Sequence, residues 1–377
     1  MPVWPERGPY LVVSASGRAL ARSASRAGIA VVVLDLFDDV DTRALAVASR
    51  ACAGRSGRFH SARVVRAARE LAPAGGYAGL VCGSGLEARP SLLEWLAHGS
   101  RLFGNSPQTV LRAKDPCFFF PLLDRLRIAH PEVRTTPPRD PRGWLAKRVG
   151  GAGGAHVRPA HLRWPRKDRR YFQRWCNGRL MSALFLAHQG GVSIIGISEQ
   201  WPVALSPAVA FAYGGAVIAD DVPQTVYSAV ASATARVAQA LGLRGLNGLD
   251  FILCGETPYV LELNPRPTAT LDLYDAFIPG GLFLRHLLAC TGSLETDFVP
   301  SLRPRAHAIV YAARAWRVPE AFAWPQWVTD IPAAGSTIAM GAPVCTVHAQ
   351  GTSTRSARTL ALSRREQVLA LCWRQAA

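Results

Sequence analysis

Lysine is nearly absent from this sequence: it occurs only as Lys114, Lys147 and Lys167, although Lys and Arg together number 43. Asp and Glu number 26, so arginine carries almost all of the net charge of +17. Such a charge is typical of nucleic-acid-binding proteins, but these arginines are spread along the chain and form no dense basic run. Nucleic-acid binding is therefore not favoured. The excess either reflects the composition of the source genome or concentrates polyanionic substrates such as ATP.

Long apolar runs, paired cysteines and a dinucleotide-binding motif are also missing. No apolar run approaches the ~20 residues that span a bilayer, and the N-terminal segment lacks the pattern of a signal peptide. The eight cysteines include no CxxC pair, which indicates reduced thiols rather than disulfides or a zinc site. The segment SASGRALA has no glycine triplet, so NAD or FAD binding is not expected. The sequence thus predicts a cytoplasmic protein without a membrane partner.

The first third of the chain alternates between strand and helix patterns. Tyr10–Ser14, Ile29–Asp35 and Leu80–Cys82 are short apolar runs, and Gly17–Ala27 has helical spacing. Continuously apolar strands separated by helices favour a parallel sheet that is covered on both faces. Because 377 residues exceed one ordinary domain, we expect this unit to be the first of several and to end near Asn105.

The segment LDFILCGETPYVLELNPRP, residues 249–267, contains the most informative pattern. Two strand-like runs flank turn residues, which predicts an antiparallel hairpin. If its pairing is symmetric about Glu256, Asp250 lies opposite Glu262 with Cβ atoms ~5 Å apart. Asn264 then projects from the same face. Two carboxylates at this range repel each other unless a cation lies between them, and the oxygen donors suit Mg²⁺. The alternative is an edge ribbon with solvated acids.

A glycine-rich loop follows the strand that carries Lys147. Four of the five residues from 150 to 154 are glycines, namely Gly150, Gly151, Gly153 and Gly154. We interpret them as serving anion binding rather than packing, because they leave backbone N–H groups free and let the chain close over an anion. The alternative is a flexible hairpin tip. Since lysine is so scarce, Lys147 beside this loop favours a phosphate-binding role.

The hairpin and the glycine loop together resemble those of the ATP-grasp superfamily. The sequence motif DFI…LELNPRP is similar to that of its carboxylase-like branch. This resemblance implies an α/β fold with an α+β catalytic part. A parallel-sheet N-terminal domain would occupy residues 1–105. A two-subdomain ATP-grasp core would occupy residues 106–299, with its hinge near 173–178. A small β-rich domain would occupy residues 300–377 and contain a final helix over Ser363–Trp373.

The resemblance also implies how the nucleotide would bind. ATP and Mg²⁺, with Mn²⁺ as an alternative, are the implied cofactors. Lys147 and the glycine loop would contact the phosphates, together with Lys114 or, alternatively, Arg112. Backbone groups near the hinge would contact the adenine ring, with Gln173 standing where the family usually has Glu or Gln. The hinge residues concerned are Trp175 and Cys176. Leu180 stands where a ribose-binding Glu is common, so no ribose contact is assigned.

The hairpin residues would have the catalytic roles in this resemblance. Its two carboxylates and Asn264 would bind the metal, and Arg266, with Lys147, would stabilise the transferred group. Arg266 follows Asn264 by two residues, so it would share the metal face. The alternative for Arg266 is a structural salt bridge to a nearby acid such as Asp272.

The implied activity is that of an ATP-dependent carboxylate–amine ligase acting through an acyl phosphate. Gln200 and Tyr213, with Gly214 and Gly215, resemble positions on the acceptor side of ligases that join amino acids to amines. Ligation of glutamate to tyramine in methanofuran-type cofactor biosynthesis is the implied example, and a homodimer is compatible with it. One alternative is a biotin-carboxylase-like enzyme, although no MKM-type biotin attachment sequence occurs. The other is a non-catalytic, basic nucleotide- or nucleic-acid-binding protein.

Overall fold

The computed structural model of the protein describes residues 8–54, 57–164, 168–292 and 302–374. The N-terminal elements are β1 (Tyr10–Val13), α1 (Arg18–Arg26), β2 (Val31–Asp35), α2 (Val40–Leu45), β3 (Ala48–Ala51), α3 (Ser61–Glu70), β4 (Gly79–Cys82), α4 (Pro90–Gly99) and β5 (Leu102–Phe103). All strand pairs are parallel, in the order β3-β2-β1-β4-β5. The predicted parallel sheet is confirmed, and β3 and β5 are two strands that the sequence did not predict.

A second, antiparallel sheet carries the lysine strand. Two short helices, α5 (Pro107–Lys114) and α6 (Pro116–Arg125), precede it in the chain. Its strands are β6 (Val133–Arg134), β7 (Trp144–Arg148), β8 (Val157–Pro159) and β9 (Arg170–Arg174). The strand order is β6-β9-β7-β8. Ser106 caps α5 by accepting the Thr109 amide, and Asp115 caps α6 by accepting the Cys117 amide. Ser106 thus marks the start of α5, and Asp115 ends it after Lys114 because it caps the next helix. Lys114 faces the hairpin.

The central sheet is built mostly from the second half of the chain. Its elements are β10 (Arg179–His188), β11 (Gly191–Val203), β12 (Ala212–Ile218), α7 (Gln224–Leu241), β13 (Gly245–Cys254), β14 (Thr257–Asn264), α8 (Leu271–Tyr274), α9 (Gly281–Thr291), β15 (Arg305–Tyr311), β16 (Trp316–Arg317), β17 (Val328–Thr329), β18 (Thr337–Ile338), β19 (Pro343–Gln350) and α10 (Thr354–Arg374). Eight strands pair in the order β14-β13-β10-β11-β12-β15-β19-β17, while β16 and β18 form a separate pair. The C-terminal strands therefore extend the sheet that carries the hairpin.

The final helix is longer than expected. We predicted Ser363–Trp373, but α10 begins at Thr354. Ser353 and Ser356 exchange side-chain-to-backbone hydrogen bonds at its start, an arrangement that works like a capping box. Thr354 also bonds to Asp220 from the loop after β12. The expected start was wrong because a serine pair and a distant carboxylate set this helix boundary.

The N-terminal sheet packs against α9, with the Tyr10 ring edge-on to both Phe103 and Phe283. This packing places the carboxyl end of β4 beside the residues that follow the hairpin. The expected domain boundary at residue 299 lies outside the described residues, as does Lys167. None of the helices in the described part of the chain is long and apolar enough to cross a membrane.

Candidate active site

The β13–β14 hairpin brings Asp250 opposite Glu262, as predicted. The pairing is not symmetric about Glu256 throughout, however. Next to the turn Phe251 pairs with Val260, so Leu261 is left unpaired as a β-bulge. Because side chains alternate between the two faces of a strand, a regular ladder from this turn would place Leu261 opposite Asp250. The bulge absorbs one residue and returns Glu262 to the face that Asp250 occupies.

Polar side chains from three strands and one helix meet at this face. Asn264 Nδ2 donates to Asp250 Oδ2 at 2.9 Å, and Gln200 Nε2 lies 3.5 Å from Asp250 Oδ1. Lys114 Nζ donates to Asn264 Oδ1 at 2.9 Å and lies 3.7 Å from Glu262 Oε2. The three predicted metal ligands are thus adjacent, and a lysine from α5 provides positive charge beside them.

The charges at this face depend strongly on one another. Burial raises the pKa of Asp250, and the neighbouring Glu262 raises it further. Burial also acts to raise the pKa of Glu262, but the cations Lys114 and Lys147, with His156, outweigh it and hold that pKa low. Burial lowers the pKa of Lys147, although both carboxylates oppose that shift. Such a pair of buried carboxylates is stabilised by added positive charge.

The donor set fits a magnesium ion. In the described ranges, no group of three or more His, Cys, Asp or Glu side chains is arranged to hold a metal, so an all-protein transition-metal cage is not formed. Two carboxylates and one amide oxygen match Mg²⁺, which typically uses one or two carboxylates and completes its shell with water and phosphate oxygens. Asp250, Glu262 and Asn264 are the residues that would hold it.

Packing accounts for at least two of the glycines in the loop between β7 and β8. A Cβ on Gly154 would lie 1.8 Å from the Phe211 carbonyl oxygen, and one on Gly151 would lie 2.2 Å from the His156 ring. Gly150 approaches the Glu87 carbonyl, whereas a Cβ on Gly153 would meet nothing within 4 Å. Our expectation that packing does not require these glycines was wrong for at least Gly151 and Gly154.

The loop lies against β12, because the Tyr213 amide donates to the Gly153 carbonyl at 3.1 Å. Gly154→Ala should therefore cost roughly 1–3 kcal/mol more stability than Gly153→Ala, the usual range for overpacking. Both glycines have similar positive φ angles, +73° and +68°, so backbone strain is matched between the two variants. Urea unfolding of both proteins measures the difference. Equal costs would show that the loop does not pack as described.

A small cleft lies beside the hairpin, lined among others by Lys114, Gly150, His156, Tyr171 and Glu262. Burial lowers the pKa of His156 to about 4, so this side chain is neutral at physiological pH. The cleft joins the glycine loop, the α5 lysine and the hairpin in one space.

The predicted hinge segment, residues 173–178, joins β9 of the sheet that carries Lys147 to β10 of the central sheet. Gln173 is buried, and its Nε2 donates to the carbonyl of Leu261, the bulge residue, at 3.4 Å. The Trp175 amide donates to the Gly143 carbonyl, and its ring is half exposed beside Phe211. Cys176 is partly buried, and burial raises its thiol pKa. Gln173 thus connects the hinge to the hairpin, and the Trp175 amide already has a protein partner.

The structure distinguishes the two candidate cations of α5. Arg112 is exposed and stacks over the Phe118 ring at 5.6 Å. Lys114 instead reaches Asn264 and Glu262. Lys114 is therefore the cation that α5 directs toward the hairpin.

Arg266 is buried and binds Glu87 rather than Asp272. Its Nε donates to Glu87 Oε1 at 2.5 Å, and its Nη2 reaches Asn264 Oδ1 at 3.3 Å. Asp272 instead pairs with Arg18 at 2.6 Å, so the expected alternative partner was wrong. Burial acts to raise the pKa of Glu87, but Arg266 and Lys114 outweigh it and hold it low. Sequence reasoning assigned no role to Glu87, whose one signal was its position after a parallel strand, where sites are common.

Arg266→Lys should lower turnover far more than it weakens ATP binding. The charge remains, but the planar fork that spans Glu87 and Asn264 is lost, and a transition-state contact affects kcat before affinity. Glu87→Gln should produce a smaller fall of the same kind, because it only releases the guanidinium. Turnover and nucleotide affinity measured on one preparation test this. A lowered Tm with intact turnover per folded molecule would make the Arg266–Glu87 pair structural.

The two predicted acceptor-side residues lie on neighbouring strands. Gln200 on β11 reaches Asp250, whereas the Tyr213 hydroxyl on β12 lies 2.7 Å from His307 Nε2. Gly214 and Gly215 pack against Trp201, where any Cβ would collide with it. Gln200 is thus part of the hairpin face, and Tyr213 faces a histidine that the sequence did not single out.

Comparison with known proteins agrees with this geometry. Residues 113–270 match the model of the ATP-grasp domain. The large chain of carbamoyl phosphate synthase from Thermus thermophilus is 26% identical over 261 residues, a match that covers 63% of this chain and 25% of that protein. This chain therefore spans about a quarter of the curated relative that it matches.

Solved structures show the same architecture over nearly the whole chain. The biotin carboxylase domain dimer of Hydrogenobacter thermophilus 2-oxoglutarate carboxylase, with MgADP, ADP and bicarbonate, matches with a TM-score of 0.71 at 12% identity, covering 94% of this chain and 89% of that one. L-amino acid ligase from Bacillus licheniformis matches with a TM-score of 0.67 at 14% identity, covering 95% and 97%. The expected α/β architecture with a parallel N-terminal sheet is thus confirmed. Residues 113–270 are similar to the ATP-grasp domain, and the chain shares its fold with a biotin carboxylase domain.

Proposed function

We propose that the protein is an ATP-dependent ligase that joins a carboxylate to an amine. The observation that supports this most is the convergence of Asp250, Glu262 and Asn264 with Lys114 beside a cleft that the glycine loop lines. Phosphoryl transfer to a carboxylate requires positioning and charge neutralisation more than a covalent nucleophile, and these residues provide both.

The proposed residues have two roles, binding of the ATP phosphates and stabilisation of the charge on the transferring phosphoryl group. Lys147, Lys114 and the glycine loop hold the ATP phosphates, and Arg266 stabilises the phosphoryl group as it transfers. When bound, Mg²⁺ or Mn²⁺ neutralises the phosphate oxygens beside the hairpin. A carboxylate oxygen of the substrate forms a bond to the γ-phosphorus while the bond to ADP breaks. The nitrogen of a neutral amine then forms the C–N bond, the C–O bond breaks with its electrons leaving on phosphate, and the nitrogen releases a proton to solvent.

The finer parts of this proposal concern substrates and context. The acceptor-side resemblance around Tyr213 favours an amino acid and an amine, with glutamate and tyramine as the first pair to test. The fold likeness to an L-amino acid ligase is consistent with such a reaction. We also propose a cytoplasmic protein, a homodimer, and a domain boundary near residue 105, which the connection between β5 and α5 supports. The expected boundary at 299 is not proposed, because β15, β19 and β17 belong to the same sheet as the hairpin.

A carboxylating reaction is the second candidate, favoured by the fold likeness to a biotin carboxylase domain that was solved with bicarbonate. Bicarbonate is itself a carboxylate that ATP can phosphorylate. This candidate predicts ADP release that depends on bicarbonate and not on any amino acid.

A screen of ADP release distinguishes these candidates. The purified protein would be incubated with Mg²⁺ and ATP, and with amino acids, primary amines and bicarbonate singly and in pairs. A ligase requires a carboxylate and an amine together, and mass spectrometry should detect the amide. Release with bicarbonate alone would favour carboxylation. ATP binding without ADP release under every condition would favour a non-catalytic nucleotide-binding protein.

A further inference from the structure

A buried charge cluster joins three separate parts of the chain next to the candidate active site. Arg18, at the start of α1, is only 3% exposed. Its guanidinium binds Asp272 at 2.6 Å and Asp330 at 3.1 Å, and it lies 3.9 Å from Asp41. These carboxylates come from α8, the segment after β17 and α2. We call these four residues, with His307 and His348, the Arg18 cluster.

The carboxylates of this cluster outnumber its cations. Arg18 and Arg305 are the guanidinium groups that act on Asp272. They are set against three carboxylates, those of Asp272, Asp330 and Asp41. Burial raises the pKa of the nearby Asp39 to about 8, so that carboxyl is mostly neutral at physiological pH and adds little charge. In a protein with a net charge of +17, a buried site with excess negative charge is unusual. Such a site favours a cation.

The two histidines contribute a buried nitrogen that needs a partner. His307 on β15 and His348 on β19 are paired residues of neighbouring strands, with ring centroids 6.2 Å apart. His348 Nε2 lies 3.5 Å from Asp272 and 2.7 Å from the Thr329 hydroxyl. His307 Nε2 binds the Tyr213 hydroxyl, but its Nδ1 has no hydrogen-bond partner among the described residues, although His307 is only 2% exposed.

An unsatisfied buried nitrogen of this kind is destabilising, so it marks a position where a ligand would gain a hydrogen bond. Burial lowers the pKa of His307 to about 3, so the ring is neutral. If Nε2 carries the proton and donates it to the Tyr213 oxygen, Nδ1 is a hydrogen-bond acceptor. A neutral acceptor beside excess carboxylate suits a ligand that is both a cation and a hydrogen-bond donor.

Tyr213 links this cluster to the nucleotide side. Its amide donates to the glycine loop at Gly153, while its hydroxyl reaches His307. The Tyr311 hydroxyl donates to the Tyr213 carbonyl at 2.9 Å. One residue is thus held by the loop and by two side chains of β15. Tyr213 therefore connects the Arg18 cluster to the glycine loop beside the hairpin.

We propose that the Arg18 cluster binds the ammonium group of the acceptor amine, which donates a hydrogen bond to His307 Nδ1 while Asp272 and Asp330 provide the opposite charge. This inference rests on the proposed ligase function. It assigns the acceptor substrate to the class of primary amines and gives His307 a specificity-determining contact. Tyr213 is then a positioning residue that orients the imidazole.

Two substitutions separate the roles of the two ring nitrogens. The carboxamide of His307→Asn replaces Nδ1, and that of His307→Gln replaces Nε2. We expect His307→Gln to raise the KM for the amine about tenfold or more, with a much smaller change in the KM for ATP. His307→Asn should retain more of the amine affinity. His188→Gln, on the distant β10–β11 turn, is the control and should match the wild type. The probes are ethylamine, tyramine and putrescine.

The outcomes distinguish failure of this inference from failure of the proposed ligase function on which it rests. Equal KM values for the amine in wild type and His307→Gln would overturn the assignment of His307, even if amide formation is intact. Equal losses in both His307 variants, accompanied by a lower Tm, would show that the histidine is structural and would also overturn it. A wild-type protein that forms acyl hydroxamate with hydroxylamine but binds none of the amines would overturn the ammonium site alone. Absence of any ATP-dependent product would overturn the ligase proposal itself.

Discussion

Glu262→Gln is expected to abolish nearly all ADP release, by about 100-fold or more, while the protein still folds. The substitution keeps the shape of the side chain but removes the charge that faces Asp250 across the hairpin. It also leaves Lys114 without its carboxylate neighbour at 3.7 Å. The measurement is steady-state ADP release at saturating Mg²⁺, with thermal unfolding of the same sample.

Glu256→Gln is the matched control for this variant. Glu256 belongs to the same hairpin but is exposed at its turn, where it binds Thr225. It should retain wild-type turnover. If Glu262→Gln also turned over at the wild-type rate, the hairpin would have no part in the mechanism.

Lys147→Ala is expected to weaken ATP binding by ~2–3 kcal/mol, the scale of a hydrogen bond to a charged group plus the cost of its unpaired partner. This corresponds to a rise in Kd of about 30- to 150-fold. Lys147 is only 6% exposed, and both hairpin carboxylates act on its ammonium group. Calorimetric titration with a non-hydrolysable ATP analogue measures the change.

Arg142→Ala provides a comparison for loss of positive charge near the same strand. Arg142 precedes β7, is exposed and pairs with Asp140, so its removal should leave the affinity close to that of the wild type. An unchanged affinity in Lys147→Ala would place the phosphates elsewhere. Equal losses in both variants would indicate a general electrostatic effect rather than a contact.

The hairpin was predictable because its partners are close in sequence. Asp250, Glu262 and Asn264 lie within one antiparallel pair, so alternation of side chains placed Glu262 and Asn264 on one face. Their register against Asp250 depends also on the bulge at Leu261, which alternation does not predict. The strands β1, β2 and β4 were equally clear, since each is a short apolar run. The edge strand β3 carries the polar sequence ASRA, which has no strand pattern, and it forms because β2 offers a free edge.

The partners of Arg266 and Asp272 could not be predicted in the same way. Glu87 is 179 positions from Arg266, and Arg18 is 254 positions from Asp272. No local periodicity relates such positions. The alternative that we weighed for Arg266 was a salt bridge to Asp272, an acid close to it in sequence, but tertiary packing places Glu87, which follows β4, against Arg266 instead. The histidines of β15 and β19 were missed for the same reason, because they become neighbours only through strand pairing.

The bulge at Leu261 has a consequence for comparing this chain with its relatives. Since one residue is looped out between turn and site, a relative that lacks it would be one residue shorter and could still present both acids to the same side. If residues of β14 were counted from the turn, the residue aligned with Glu262 would then be the wrong one. Counting backward from the Asn264-Pro265 pair gives the same answer with or without the extra residue. Homologous ligands should therefore be matched from the far end of the hairpin, where the numbering is independent of its length.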